Sequence, residues 1–240
     1  MNDGVGVLKR WSKNLWAGMA FVSLLLSLAS VSGADARPTY DAEVIYRLTQ
    51  DAVLYVRVYR ADGTVKDVGS GFVIDPGGTA LTAYHVVEGA ERISCTLRDG
   101  TTVDPVRVTA VDKTMDLAVL QLPPLPIRSG QTADYAHLNL RTGSMNHGER
   151  VYAIGYPMKE TKIVTEGVVN SPQAPINGRE RMLVSAQVAS GMSGGPVLDK
   201  YGQVAGVVSG SLRTMSGIHL AVGTDAVRDV LTQTNGEDRP

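Results

Sequence analysis

The sequence predicts an all-β fold of two β-barrels closed by a short C-terminal helix, and three observations carry that prediction. Apolar residues come in short alternating runs separated by Gly, Pro, Asp and Asn, the pattern of strands joined by tight turns. Aromatic residues are only 5% of the chain against 43% hydrophobic, so Val, Leu, Ile and Ala must fill the core, and abundant valine favours strands. The segment Pro123-Pro124-Leu125-Pro126-Ile127-Arg128-Ser129-Gly130 divides the runs into two sets, because three prolines without N–H donors cannot serve a central ladder. A chain of 240 residues can bury one substantial core, which excludes a disordered chain.

The N-terminus reads as an export signal over residues 1–36. Lys9, Arg10 and Lys13 precede a nearly unbroken apolar segment from Leu15 to Val31, and small residues at Ser32-Gly33-Ala34 and Ala34-Asp35-Ala36 predict cleavage after Ala34 or Ala36. The alternative is an uncleaved anchor, since the run approaches the ~20 residues that span a bilayer. Either way the domain at 37–240 is expected outside the cytoplasm, periplasmic or secreted.

Tyr40 to Gln50 predicts a short helix leading into the alternating strand Ala52 to Tyr59. Asp62-Gly63 and Asp75-Pro76-Gly77-Gly78 are turn signals, with Gly supplying positive φ and Pro presetting the entry. Strands expected at Gly71 to Ile74, Thr79 to Ala83, Ile93 to Leu97, Val103 to Val111 and Leu117 to Leu122 complete a first barrel over about 50–122. A connection over about 123–148 follows. The second barrel, about 149–223, takes Arg150 to Ile154, Thr161 to Asn170, Met182 to Val188, Pro196 to Leu198, Gln203 to Ser209 and His219 to Val222. Thr224 or Asp225 caps a final helix over about 224–234, with Asn235 to Pro240 as a frayed tail.

Charge and cysteine content remove several function classes. With 23 basic and 24 acidic residues the formal net charge is -1, so there is no electrostatic footprint for nucleic acid. The four His and one Cys have no ligand spacing, so neither a metal nor another cofactor is expected. Cys95, within an alternating strand, is expected to be a small buried apolar residue without a disulfide partner.

The chemistry lies in Gly191-Met192-Ser193-Gly194-Gly195-Pro196, where small residues leave one serine hydroxyl reachable and the neighbouring N–H groups free. A serine becomes nucleophilic only when a base takes its proton, and the resulting oxyanion needs donors already aimed at it. His85 stands at the end of Ala80-Leu81-Thr82-Ala83-Tyr84, and Asp116 opens the apolar run Leu117 to Leu120. The expectation is that His85 takes the Ser193 proton, Asp116 fixes the imidazole tautomer, and the N–H groups of Gly191 and Ser193 hold the oxyanion. Asp112 competes with Asp116 but is assigned to the solvated surface. His137, His147 and His219 are assigned to surface or supporting positions. The order His, Asp, Ser argues against an α/β-hydrolase, whose histidine comes last.

Gly69-Ser70-Gly71-Phe72-Val73-Ile74, the block around Asp116, Ala153-Ile154-Gly155-Tyr156-Pro157, Glu166-Gly167-Val168-Val169 and the serine block followed by Gly206-Val207-Val208-Ser209-Gly210 together resemble a trypsin-like serine peptidase of the HtrA/Deg type. The resemblance implies the chymotrypsin/trypsin-like fold, two six-stranded antiparallel β-barrels with the site between them. It implies an exported endopeptidase acting on unfolded or exposed polypeptide, with a pocket walled by Gln187 to Ser190, by Val208, Ser209 and Gly210, and by residues near Leu220 and Ala221. None of these is charged, so cleavage after small or medium apolar residues is expected, since an unpaired buried charge is costly. A pocket contact by His219 favouring acidic residues is a weaker alternative.

Met192 departs from the family pattern, which has a small polar residue there, and its thioether is expected at the cleft mouth. Too few residues follow the last helix for the peptide-binding PDZ module typical of the family, so control by one is not carried over. A homo-oligomer draws no support from the sequence. A second function class stays open: a protease-fold scaffold whose oxyanion hole is collapsed until a partner forms it.

Overall fold

The structure is a computed structural model that describes residues 37–237, apart from 126, 129–130, 159–160 and 213. The expected export signal and the last three residues of the expected tail lie outside the described residues. The compact unit begins at Thr39.

Helix α1, Ala42–Thr49, starts where Asp41 accepts the Val44 N–H at 2.9 Å, and Glu43 in its first turn pairs with Arg47 one turn on. These are the cap and charge placements that satisfy a helix's free N–H groups and its dipole. A 3₁₀ turn, Gln50–Ala52, passes the chain to the first sheet. Its strands are β1 (Val53–Tyr59), β2 (Val65–Val73), β3 (Thr79–Thr82), β4 (Arg92–Thr96), β5 (Thr102–Val103), β6 (Arg107–Asp112) and β7 (Leu117–Gln121). A single helical turn, α2 (Tyr84–Val87), follows β3. The sheet order is β5-β4-β1-β2-β3-β7-β6, an open half-barrel of seven strands rather than a closed barrel of six. The cause is local. The run expected as one strand from Val103 to Val111 contains Pro105, which has no N–H to give a ladder, so it splits into β5 and β6.

The expected connection carries a two-strand ribbon, β8 (Ile127–Arg128) and β9 (Gln131–Thr132), and then runs back along the first sheet. Tyr135 and Leu138 donate their N–H groups to Pro76 and Val73 there. The second sheet closes fully as β10-β11-β12-β15-β14-β13, the six-stranded barrel expected. These strands are β10 (Arg150–Met158), β11 (Thr161–Ile176), β12 (Arg179–Val184), β13 (Pro196–Asp199), β14 (Val204–Ser211) and β15 (His219–Gly223). Helix α3, Thr224–Glu237, ends the described chain. Among the described residues no helix is long and apolar enough to cross a membrane.

Strand periodicity explains how the barrels are welded. Leu54, Val56 and Val58 of β1 enter the core of the first sheet with Val73, Ala80 and Leu120. The opposite face sends Val53 and Tyr55 into a second core with Phe72, Leu81 and Leu117 on one side and Tyr152, Ile154 and Tyr156 on the other. Side chains alternate along a strand, so β1 serves both cores at once. Replacing a fully buried Leu or Ile here with Ala costs about 2–5 kcal/mol. A third cluster, including Val151, Ala153, Val197 and Val208, fills the closed barrel. Cys95 is fully buried in the first core, and burial pushes its thiol up to about 12.

Candidate active site

His85 and Asp116 meet at the rim of the first sheet. Ala83, just after β3, is extended and caps α2, placing His85 in the first turn beyond the strand end. Asp112 caps the loop that delivers Asp116. Its Oδ1 accepts the N–H groups of Thr114 and Met115, each at 2.8 Å, and the chain reaches Asp116 in the left-handed region at φ 62°. Asp tolerates that region better than most residues, although the conformation still costs of order 1 kcal/mol. Asp112 is thus half-buried and spent on backbone, while Asp116 is the carboxylate that faces the histidine.

Three groups hold the Asp116 carboxylate. The His85 Nδ1 lies 3.0 and 2.9 Å from its two oxygens, the His85 backbone N–H donates at 2.9 Å, and the Ser209 hydroxyl donates at 2.5 Å. Burial would raise this carboxyl, but the bonds from the His85 ring, Ser209 and the His85 backbone outweigh it and hold the group below its ordinary value. The bond from Asp116 raises the His85 imidazole above its ordinary 6.5 against the opposing effect of burial. With Nδ1 held, His85 is left with Nε2 as its free base position, which has no partner among the described residues.

Ser193 comes from the second barrel. The Met192 N–H donates to the Ala189 carbonyl at 3.0 Å, and Gly191, third residue of that turn, has φ 91°. This is the backbone of a type II turn. The commoner type I turn has φ near −90° at that position and shows the opposite face of the central peptide, so the sign of the Gly191 φ decides where its N–H points. Only glycine fits, because an added Cβ would sit 2.4 Å from the Tyr156 carbonyl oxygen. The N–H groups of Gly191 and Ser193 have no acceptor among the described residues, whereas Gly194 and Gly195 are fixed by bonds with Val208 and Met192. The Ser193 hydroxyl makes no hydrogen bond among the described residues. Serine–imidazole bonds are often long or misaligned in an unliganded site and tighten only when substrate is bound.

Ser70 ties this loop to the first sheet, a role that nothing in its short Gly-Ser-Gly setting announces. It is fully buried; its hydroxyl donates to the Gly191 carbonyl at 2.8 Å and accepts the Tyr156 N–H at 2.9 Å. Its own N–H donates to the Ser193 carbonyl at 2.8 Å, and its carbonyl accepts the Thr82 hydroxyl at 2.7 Å. Ser70→Ala leaves the buried Tyr156 N–H and the half-buried Gly191 carbonyl without this partner, a cost of about 1–3 kcal/mol for each buried group. We expect kcat/KM on a peptide substrate to fall about ten-fold in that variant, the equivalent of 1.4 kcal/mol. Unchanged kinetics would show that the loop does not depend on this bond.

The remaining expected site residues are spread differently. Gln187 and Ser190 are exposed, with the Gln187 carbonyl accepting from Thr165, and Gly210 faces open space. Val208 is fully buried in the second barrel core, and its backbone holds Gly194 and Gly195. The Ser209 hydroxyl serves Asp116. Met192 is not at the cleft mouth: it is fully buried, its sulfur 3.5 Å from the Ala189 N–H, because the turn sends its side chain into the barrel. His219 is buried rather than on the surface, accepting the Val188 N–H at Nε2 and bonded to Ser211 through Nδ1, and burial lowers it. Among the described residues no cluster of three His, Cys, Asp or Glu side chains could hold a metal.

The chain is similar to known proteins. Residues 69–207 match the trypsin-like peptidase domain, a span that includes His85, Asp116 and Ser193. The chain is 33% identical over 227 residues to the mitochondrial serine protease HTRA2 of Bos taurus, covering 85% of this chain and 46% of that protein. It is 33% identical over 169 residues to the putative serine protease HhoA of Synechocystis, covering 68% of this chain and 41% of that protein. The crystal structure of a serine endoprotease from Yersinia pestis superimposes with a TM-score of 0.69 at 25% identity, over 84% of this chain and 69% of the other. The chain spans less than half the length of these two curated relatives. With its open half-barrel and closed barrel, the chain belongs to the trypsin-like peptidase family, among relatives of the HtrA type.

Proposed function

We propose that the chain is a serine endopeptidase working through His85, Asp116 and Ser193. His85 Nε2 takes the Ser193 proton as Oγ attacks the scissile carbonyl, and the N–H groups of Gly191 and Ser193 receive the oxyanion. The imidazolium then gives its proton to the leaving amine, and a water activated by the same nitrogen releases the acyl group. The observation that carries the reading is the doubly held Asp116–His85 Nδ1 contact, which commits Nε2 to the serine side. The type II turn at Gly191 supports an open oxyanion hole over a collapsed one. Cleavage after small or medium apolar residues is proposed from the absence of charge at Gln187, Ser190, Val208, Ser209 and Gly210, the pocket segments that the family resemblance implies, and export from residues 1–36. Polypeptides are the substrates this chemistry takes.

A fluorophosphonate probe tests the proposal. Stoichiometric labelling that disappears in Ser193→Ala is the expected result. A folded protein that stays unlabelled would overturn it in favour of the scaffold reading.

A further inference from the structure

A cleft of about 560 Å³ opens beside His85, Asp116 and Ser209, and its walls carry cations from both barrels. Lys113, on the loop that leads to Asp116, forms one wall with its ammonium 5.6 Å from the Tyr84 ring centroid. Arg179 forms the other. It stands opposite Ile176 at the end of the β11–β12 hairpin, whose two-residue tip, Asn177-Gly178, has φ of 52° and 73°. Two consecutive positive φ values are the signature of the tight type I′ hairpin, whose twist matches the strands it joins, so Arg179 is held by a rigid ribbon. Arg181, two residues on, is 5% exposed and bridges the walls by donating to the Thr114 carbonyl at 3.3 Å and touching the Met115 sulfur at 3.8 Å.

The charge balance of this cleft is unusual. None of Lys113, Arg179 and Arg181 is salt-bridged to a carboxylate among the described residues, and the bonds of Arg181 all go to neutral acceptors. The carboxylates nearby keep their charge but are hydrogen-bonded elsewhere: Asp116 to His85 and Ser209, Asp112 to two backbone N–H groups, and Glu88 to the Tyr84 hydroxyl at 3.2 Å, so none of them pairs directly with Lys113 or Arg179. Asp116 and Asp112 lend Arg181 part of its counter-charge, so the positive surplus of the cleft lies with Lys113 and Arg179, which an anion entering the cleft would pair.

We propose that this cleft is a subsite for an acidic side chain, so that the polypeptide substrate carries Asp or Glu at a position flanking the scissile bond. The inference rests on the peptidase reading for where the substrate lies, and it adds a requirement that the uncharged primary pocket does not supply. Lys113 and Arg179 meet the carboxylate, and Arg181 supplies positive potential from beneath.

Binding separates this proposal from the peptidase reading. Full-length Ser193→Ala protein is titrated with fluorescent peptides that differ at one position, scanned along the sequence, by Glu, Gln or Lys. At one position Glu should bind about ten-fold more tightly than Lys, as expected for partly exposed charge pairs, and the difference should shrink in high salt. In Lys113→Glu/Arg179→Glu the order of Glu and Lys should invert. Equal binding of all three peptides at every position overturns the subsite, as does a Glu preference that survives the double charge reversal. Peptides bound with Glu preference by a wild-type protein that neither cleaves them nor takes the fluorophosphonate would uphold the subsite while defeating the peptidase reading.

Discussion

Ser193→Ala is expected to lower kcat by roughly 10⁶-fold, the scale on which removal of a triad nucleophile acts. The same change should leave stability within about 0.5 kcal/mol of the parent, the range for substitutions that break no structural contact. The asymmetry follows from how the loop is held. Its anchors are backbone groups: the Ser193 carbonyl to the Ser70 N–H, the Met192 N–H to Ala189, and Gly194 to Val208. The hydroxyl itself bonds to nothing among the described residues, so its loss removes chemistry and almost no structure. Peptide hydrolysis measured beside denaturant unfolding checks both halves. Residual activity near that of the parent would remove Ser193 from the mechanism.

Asp116→Asn should cost about 10⁴-fold in kcat, and the geometry says why. One oxygen must remain at the His85 backbone N–H, which can only donate. The new amide nitrogen then takes the place of the other oxygen, between the Ser209 hydroxyl and His85 Nδ1, 2.9 Å from that ring nitrogen. There it donates to Nδ1, forces the proton onto Nε2, and leaves the imidazole unable to accept from serine. The pH profile should move too. In the parent, neutral His85 is the active form, and its raised value means that kcat/KM climbs through a midpoint above 6.5 as pH rises. Without the carboxylate that elevation goes, so the midpoint of the residual activity falls toward lower pH. A profile unchanged from the parent would place the essential base elsewhere.

The parts of this molecule legible in its sequence are those written locally. Alternating apolar runs and their turn residues yielded the strands of both halves, and the glycines around Ser193 marked a loop where φ must turn positive. Contacts between distant segments were harder to read. Ser209 was expected to wall a pocket, yet its partner is Asp116, 93 residues earlier in the chain. Ser70 sits in an ordinary Gly-Ser-Gly strand and becomes informative only when β2 meets the nucleophile loop 121 residues later. Met192 misled because a side chain next to a nucleophile suggests exposure, whereas the turn at Gly191 rotates it into the barrel. Arg181 carries no local signal in the sequence, and only the fold buries it against Thr114.

The bonds from Ser70 to Gly191 and Ser193 also bear on when the chain becomes competent. Synthesis delivers Ser70, His85 and Asp116 first and the serine loop much later, with Ser209 after it. The first half of the chain holds His85 and Asp116 without the serine, and the folded serine loop rests on the earlier sheet through Ser70. On the proposed chemistry, serine, base and carboxylate form one site only once the segments that carry Ser193 and Ser209 have packed on the first sheet.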